Sequence, residues 1–173
     1  GYTGTGGQKL LEKAAPIVTI TTTCGTGTEC DQYCVITNED TDEKLDFASD
    51  SIFPTLSIID PELMLTIPLD LTIYQGFDAL FHAAECYVAN GHQNRMVDLY
   101  AVESVKTVNE NLPLVVDDLN DLEARSEVAF AADILSGYTM SLVSVTSHHI
   151  LAQALGGIFP NLPHGASLIV VCE

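Results

Sequence analysis

Basic residues are scarce. Lys and Arg total 6 against 24 Asp and Glu, a formal net charge of −18. A surface so short of cations cannot neutralise a phosphate backbone, which argues against nucleic-acid binding. It gains nothing from an anionic bilayer either. A nucleotide cofactor stays open, because backbone N–H groups bind phosphate without net positive charge. Long apolar runs are missing as well: none reaches the roughly eighteen residues of a membrane span. The Gly-rich N-terminus lacks the basic and apolar regions of a signal peptide. It reads as the middle of a longer chain, and so does the apolar run Ser167–Glu173. The five cysteines are odd in number and form no CxxC pair, so neither a disulfide framework nor a structural zinc site is expected. They read as buried free thiols in a reducing, cytoplasmic setting. There is no internal repeat and no low-complexity segment.

What is present is apolar. Hydrophobic residues make up 47% of 173, enough to bury a core in one domain, or in one domain plus part of another. A short helix is expected over Gln8–Lys13. The β-branched stretch Pro16–Thr23 reads as a strand. It runs into Cys24-Gly-Thr-Gly-Thr-Glu29, where Thr26 and Glu29 have capping-box spacing and the glycines permit close approach to a ligand. Cys34–Thr37 and Lys44–Ala48 form a hairpin around a polar turn, and Thr55–Ile59 is another strand. Asp60-Pro61-Glu62 suits a helix start. From Leu69 the pattern is helical: Leu71–Ala89, then Asn94–Asn111 ending before Pro113, then Asn120–Val143. His148–Leu155 follows, stopped by Gly156-Gly157. We place a domain boundary at Pro68. It separates a β-rich part, residues 1–67, from a helical part, residues 68–173.

Asp78 and His82 are four apart in a helical stretch, so both face one side, one turn apart. A buried carboxylate is costly unless it is paired or bound to a cation. A lone His on an apolar helix is more often a core residue than a ligand. With Asp78 one turn away, and with His149 and His164 downstream, one Asp and three His complete a four-ligand site. His92 and His148 fit no such pattern and read as surface or structural residues. Glu85 reads as an ordinary helix carboxylate, or as an outer partner that orients His82.

Four motifs in order, Thr22-Thr-Cys-Gly-Thr-Gly-Thr-Glu29, Asp60-Pro-Glu-Leu63, Gly76-Phe-Asp-Ala-Leu-Phe-His82 and Leu162-Pro-His-Gly165, resemble the signatures of the iron-containing (group III) alcohol dehydrogenases. The resemblance covers essentially the whole chain. It implies a dehydroquinate synthase-like architecture: the C-terminal part of an α/β nucleotide-binding domain over residues 1–67, an all-α metal-binding domain over residues 68–173 that is incomplete at its C-terminus, and the metal between them. It places the metal ligands, for Fe(II) or Zn(II), at Asp78, His82, His149 and His164. It places contacts to NAD or NADP at Thr22, Thr23, Gly25, Thr26, Lys44 and Leu63. It implies hydride transfer between a small primary alcohol and its aldehyde. A related maleylacetate reductase or glycerol dehydrogenase activity stays open, as does a non-catalytic metal-binding remnant. Members often form dimers or larger assemblies, so a homo-oligomer is an expectation. The family's Gly-Gly-Gly-Ser pyrophosphate loop would precede residue 1, so the chain alone is expected to be a poor catalyst. A histidine that many members carry near the substrate is here Gln153, which cannot exchange a proton near neutral pH.

Overall fold

The computed structural model describes residues 14–172. Among these described residues, two small sheets precede six helices. Strand β1 (Val18–Thr21) pairs in parallel with β4 (Leu56–Ile59), in register from Val18 opposite Leu56 to Thr21 opposite Ile59. Strands β2 (Tyr33–Asn38) and β3 (Glu43–Ala48) form the antiparallel hairpin lying between them in sequence. The expected Gln8–Lys13 helix lies outside the described residues. The threonine-glycine loop does not start a long helix. Thr26 Oγ1 accepts from the Thr28 N–H at 3.4 Å, and one 3₁₀ turn follows at Thr28–Cys30. Asp60 likewise caps only a single 3₁₀ turn, Pro61–Met64, through the Glu62 N–H.

The helical part begins with α1 (Leu69–Asn90), ended by Gly91 in the left-handed region. Helix α2 (Arg95–Asp117) is capped by Asn94, which accepts from the Met96 N–H. It runs past Pro113 instead of stopping before it. A mid-helix proline forfeits one backbone hydrogen bond. Here Pro113 and Asn109, whose carbonyl loses its partner, are both exposed, so water can serve. Leu112 and Val115 on the opposite face are buried, and their burial carries the helix another turn.

The third helical stretch is continuous but not uniform. Helix α3 (Leu122–Ala129), capped by Asp121, passes into a π-helical segment, Phe130–Ser136, and then α4 (Gly137–Leu142). Ser104 Oγ donates to the Ala131 carbonyl at 2.9 Å, which serves the loosened backbone. Met64, Ala79, Val108, Val128 and Ala132 form the main core among α1, α2 and this stretch. Leu122, at the stretch's start, is 39% exposed and lies outside that core.

Helices α5 (Ser147–Ile158) and α6 (His164–Cys172) pack on each other and on α1. Gly156 and Gly157 do not stop α5. They lie in its last turn, where the tip of the β2–β3 hairpin rests on it. Among the described residues no single helix is long and apolar enough to cross a membrane. All five cysteines are free; Cys24 and Cys86 are buried, Cys30 and Cys34 partly so, and Cys172 is exposed.

Candidate metal centre

Asp78 is the hub of the site. Its Oδ1 lies 3.3 Å from His149 Nε2, 3.5 Å from His164 Nε2 and 3.6 Å from His82 Nδ1. Asp78, His82 and His149 are buried and each offers a ligand atom within 4.8 Å of the others. The His82 and His149 rings stack at 4.1 Å, and the His164 ring stands 5.4 Å from that of His149. Tetrahedral bonds of ~2.0–2.2 Å set ligand–ligand edges at about 3.3–3.6 Å. The two separations from Asp78 Oδ1 to Nε2 atoms fall in that range; Asp78, His82 and His149 form a group able to hold a small divalent cation, and His164 joins it through Asp78 alone. His164 Nδ1 is buried and has no hydrogen-bond partner among the described residues.

Each ligand is brought here by a specific packing choice. Asp78 and His82 follow from helical spacing on α1. Gly165 places His164: a side chain there would meet the backbone carbonyl of Tyr74 closer than 3.0 Å, so only glycine lets α6 lie against α1 one turn before Asp78. His164 is therefore the first residue of α6, not a loop residue as its Pro-His-Gly setting suggests. Gly25 contributes through its backbone. Its loop is tied to α1 by the Cys24 N–H donating to Gln75 Oε1 at 3.1 Å, and the Gly25 carbonyl stands 3.1 Å from His82 Nδ1. A proton on Nδ1 satisfies that carbonyl and leaves Nε2 with its lone pair.

His149 is held by a residue whose partner the sequence did not reveal. Glu85 Oε2 lies 2.9 Å from His149 Nδ1. The same carboxylate accepts from the backbone N–H groups of Thr146, His148 and His149 at 2.9, 2.6 and 3.2 Å. Glu85 thus serves His149, not His82, and is no ordinary surface carboxylate. His148, beside the ligand, stacks on Phe81 and bonds the Leu168 carbonyl; His92 is exposed and pairs with Asp98. Both are structural, as expected.

Charge follows from these contacts. Burial pushes the His82 imidazole down to about 4 against the pull of Asp78, so it is neutral and able to ligate. Burial likewise lowers His164. Burial opposes charge on His149 too, but its bonds to Asp78 and Glu85 outweigh that and raise its pKa. Burial would raise both carboxylates. The three histidines overcome it for Asp78, and the His149 and backbone bonds bring Glu85 to about 2. The site is therefore two anions facing imidazoles, an arrangement a cation completes by displacing protons.

A cleft of about 470 Å³ opens over these ligands, between α5 and the hairpin. Of the residues expected at the cofactor, Thr26 and Lys44 line it, as does Gln153. Thr22 and Thr23 are exposed, Leu63 is 43% exposed and Gly25 is buried under His82; none of the four lines the cleft. Asp31 also lines it, nearly buried, with Oδ1 accepting the Tyr33 N–H at 2.8 Å. Burial raises its carboxyl to about 7.

Comparison with known proteins gives the family. The family described as "Fe-containing alcohol dehydrogenase family, C-terminal" matches residues 72–172, and "Iron-containing alcohol dehydrogenase" matches residues 2–61. A NAD-dependent methanol dehydrogenase of Bacillus methanolicus is 39% identical over 160 residues, covering 92% of this chain and 41% of that protein. A 1,3-propanediol dehydrogenase of Citrobacter freundii is 35% identical over 170 residues, covering 98% and 43%. Among solved structures, an archaeal halo-thermophilic alcohol dehydrogenase from a Red Sea brine pool superposes with a TM-score of 0.90 at 32% identity, covering 96% of this chain and 41% of that one. A sulfoacetaldehyde reductase from Bifidobacterium kashiwanohense, solved with NAD+, gives 0.85 at 34% identity, covering 96% and 43%. The chain thus spans about 41–43% of the length of these relatives. With a family match over both its strand-bearing and helical parts, the chain belongs to the iron-containing alcohol dehydrogenase family.

Proposed function

We propose that the whole protein built around this chain is a metal- and NAD(P)-dependent dehydrogenase that interconverts a small alcohol and its aldehyde. The observation that carries this is the convergence of Asp78, His82, His149 and His164 on one cleft. These four residues would hold Fe(II) or Zn(II), which when bound supplies a Lewis acid for the substrate oxygen. The remaining tasks fall to the chain. Gly25 and Glu85 hold the rings of His82 and His149. Val35 of the hairpin, Ile150 of α5 and Val145 just before α5 wall the cleft with apolar side chains that limit water around the reacting carbon. Lys44 and Thr26 stand on the side where a dinucleotide phosphate or ribose would be met. In this reading Pro68, at the start of α1, separates a nucleotide-binding part from the metal-binding part.

Metal analysis of the whole protein tests the proposal, followed by an alcohol and aldehyde panel with NAD and NADP after loading with Fe(II) or Zn(II). We expect bound metal, hydride transfer with one of the two dinucleotides, and loss of both in His82→Ala. Undiminished metal binding in His82→Ala, or no turnover on any alcohol or aldehyde by the metal-loaded protein, would overturn it.

A further inference from the structure

We propose that Glu85 is the positioning residue for His149: one carboxylate fixes the tautomer of the ring and seats the helix that carries it. The inference rests on the metal-site reading above and adds to it a residue outside the ligand set. Glu85 lies seven residues after Asp78 and three after His82, on one stripe of α1. The His149 ring spans that stripe, with Nε2 toward Asp78 and Nδ1 toward Glu85. A carboxylate accepts only, so Nδ1 must carry the proton toward Glu85. Nε2, turned to Asp78, is the atom from which a cation would displace a proton, while Nδ1 keeps its own toward Glu85.

The same carboxylate replaces a helix cap. Helices α2 and α3 are capped locally by Asn94 and Asp121. At α5 the cap position, Thr146, makes no side-chain bond, and the orphan N–H groups of its first turn go to Glu85 across 61–64 residues of sequence. Among the described residues the only ion-pair partner of Glu85 is His149. A cap alone would need backbone donors and no more. The bond to Nδ1 ties the entry of α5 to the direction of one metal ligand. Gln153, one turn along α5, is carried by the same anchor.

The test separates capping from ring orientation. In Glu85→Gln the amide oxygen, at the Oε1 position, can still accept from the His148 and His149 N–H groups, while its NH₂, at the Oε2 position, gives up the Thr146 N–H, donates to Nδ1 and drives the ring proton to Nε2. The full chain, stripped of metal, is titrated with Zn(II) against a chelating dye and with Co(II) by visible absorption. We expect Glu85→Gln to lower affinity about 10–100-fold and to change the Co(II) spectrum. Asp121→Ala, which removes the α3 cap, should lower the melting temperature and leave affinity unchanged. In the Zn(II)-loaded wild type, ¹⁵N–¹H correlation should show His149 protonated at Nδ1. Equal affinity in Glu85→Gln, or a wild-type His149 protonated at Nε2, would overturn the role of Glu85 alone. The second readout needs no variant to fold. A wild-type chain that takes up neither Zn(II) nor Co(II) would instead overturn the metal-site reading, and the role of Glu85 with it.

Discussion

Two adjacent glycines should respond to alanine with opposite signs. Both sit in the last turn of α5 under the hairpin tip, and glycine there weakens the helix by up to about 1 kcal/mol relative to alanine. At Gly156 an added Cβ would lie 3.5 Å from Lys44 Cδ and 3.6 Å from its Nζ, ordinary contact with a flexible side chain. Gly156→Ala should therefore gain the helix term and stabilise by roughly 0.5–1 kcal/mol. At Gly157 the Cβ would meet the carbonyl oxygen of Asp42 closer than 3.0 Å, with the Lys44 nitrogen at 3.5 Å. Asp42 is itself pinned, at φ 54 in the hairpin turn. Relief requires the backbone to move by roughly 1 Å, and overpacking of that kind costs about 1–3 kcal/mol. Against a gain of at most about 1 kcal/mol, Gly157→Ala should lose on balance, roughly 1–2 kcal/mol or about 2–8 °C in Tm for a chain of this size. Thermal melts followed by circular dichroism read both variants. The loss should come with a displaced Lys44, seen as weaker dinucleotide binding by the whole protein. A Gly157→Ala chain that melts higher than wild type would refute the reasoning, because it would mean the hairpin does not press on α5.

Two further variants probe charge. Asp133, in the π-helical segment, is fully buried, and burial, aided by Glu29 and opposed by the Gly25 backbone N–H, raises its carboxyl from 3.8 to about 8. Between those values the folded state keeps a proton that the unfolded chain gives up, so stability falls as pH climbs from about 4 to about 8 and levels off above. Asp133→Asn lacks this loss. Its Tm advantage should widen from pH 5 to pH 8, and an equal gap at both would show that the site is solvated. At Gln153, which lines the cleft, histidine should raise turnover of the whole protein by up to the ~10²–10⁴-fold typical of acid–base help, with a new ionisation near neutral pH and unchanged metal content. Altered metal occupancy with an unchanged pH–rate profile would assign Gln153 to the ligand sphere.

Much of this fold shows in the sequence because it is local. The hairpin, the helix α1 and the Asp78/His82 pair follow from period-2 and period-3.6 patterns and from a four-residue spacing. Misreadings came where tertiary burial or close approach overrides a local signal. Pro113 ought to end a helix, but Leu112 and Val115 are worth more in the core than one exposed hydrogen bond. Gly156-Gly157 ought to end one too. Glycine also marks where two backbones touch, and only the position of the hairpin decides between the two meanings.

The site divides the same way. The four candidate ligands could be picked out because each sits in a short motif; what orients them could not, because both partners are distant in sequence. The Gly25 carbonyl reaches His82 across 57 residues, and Glu85 reaches His149 across 64. A signal for the second existed all the same. Glu85 stands in an apolar helix stretch beside buried Ala83 and Cys86, where a carboxylate requires several donors. His82, three residues earlier, offers one donor at most. The uncapped start of α5 offers backbone N–H groups and a ring nitrogen together. Counting donors, not spacing, is what points from Glu85 to α5, and the same count explains why Asp78 needs three imidazoles or a cation to be tolerated where it is.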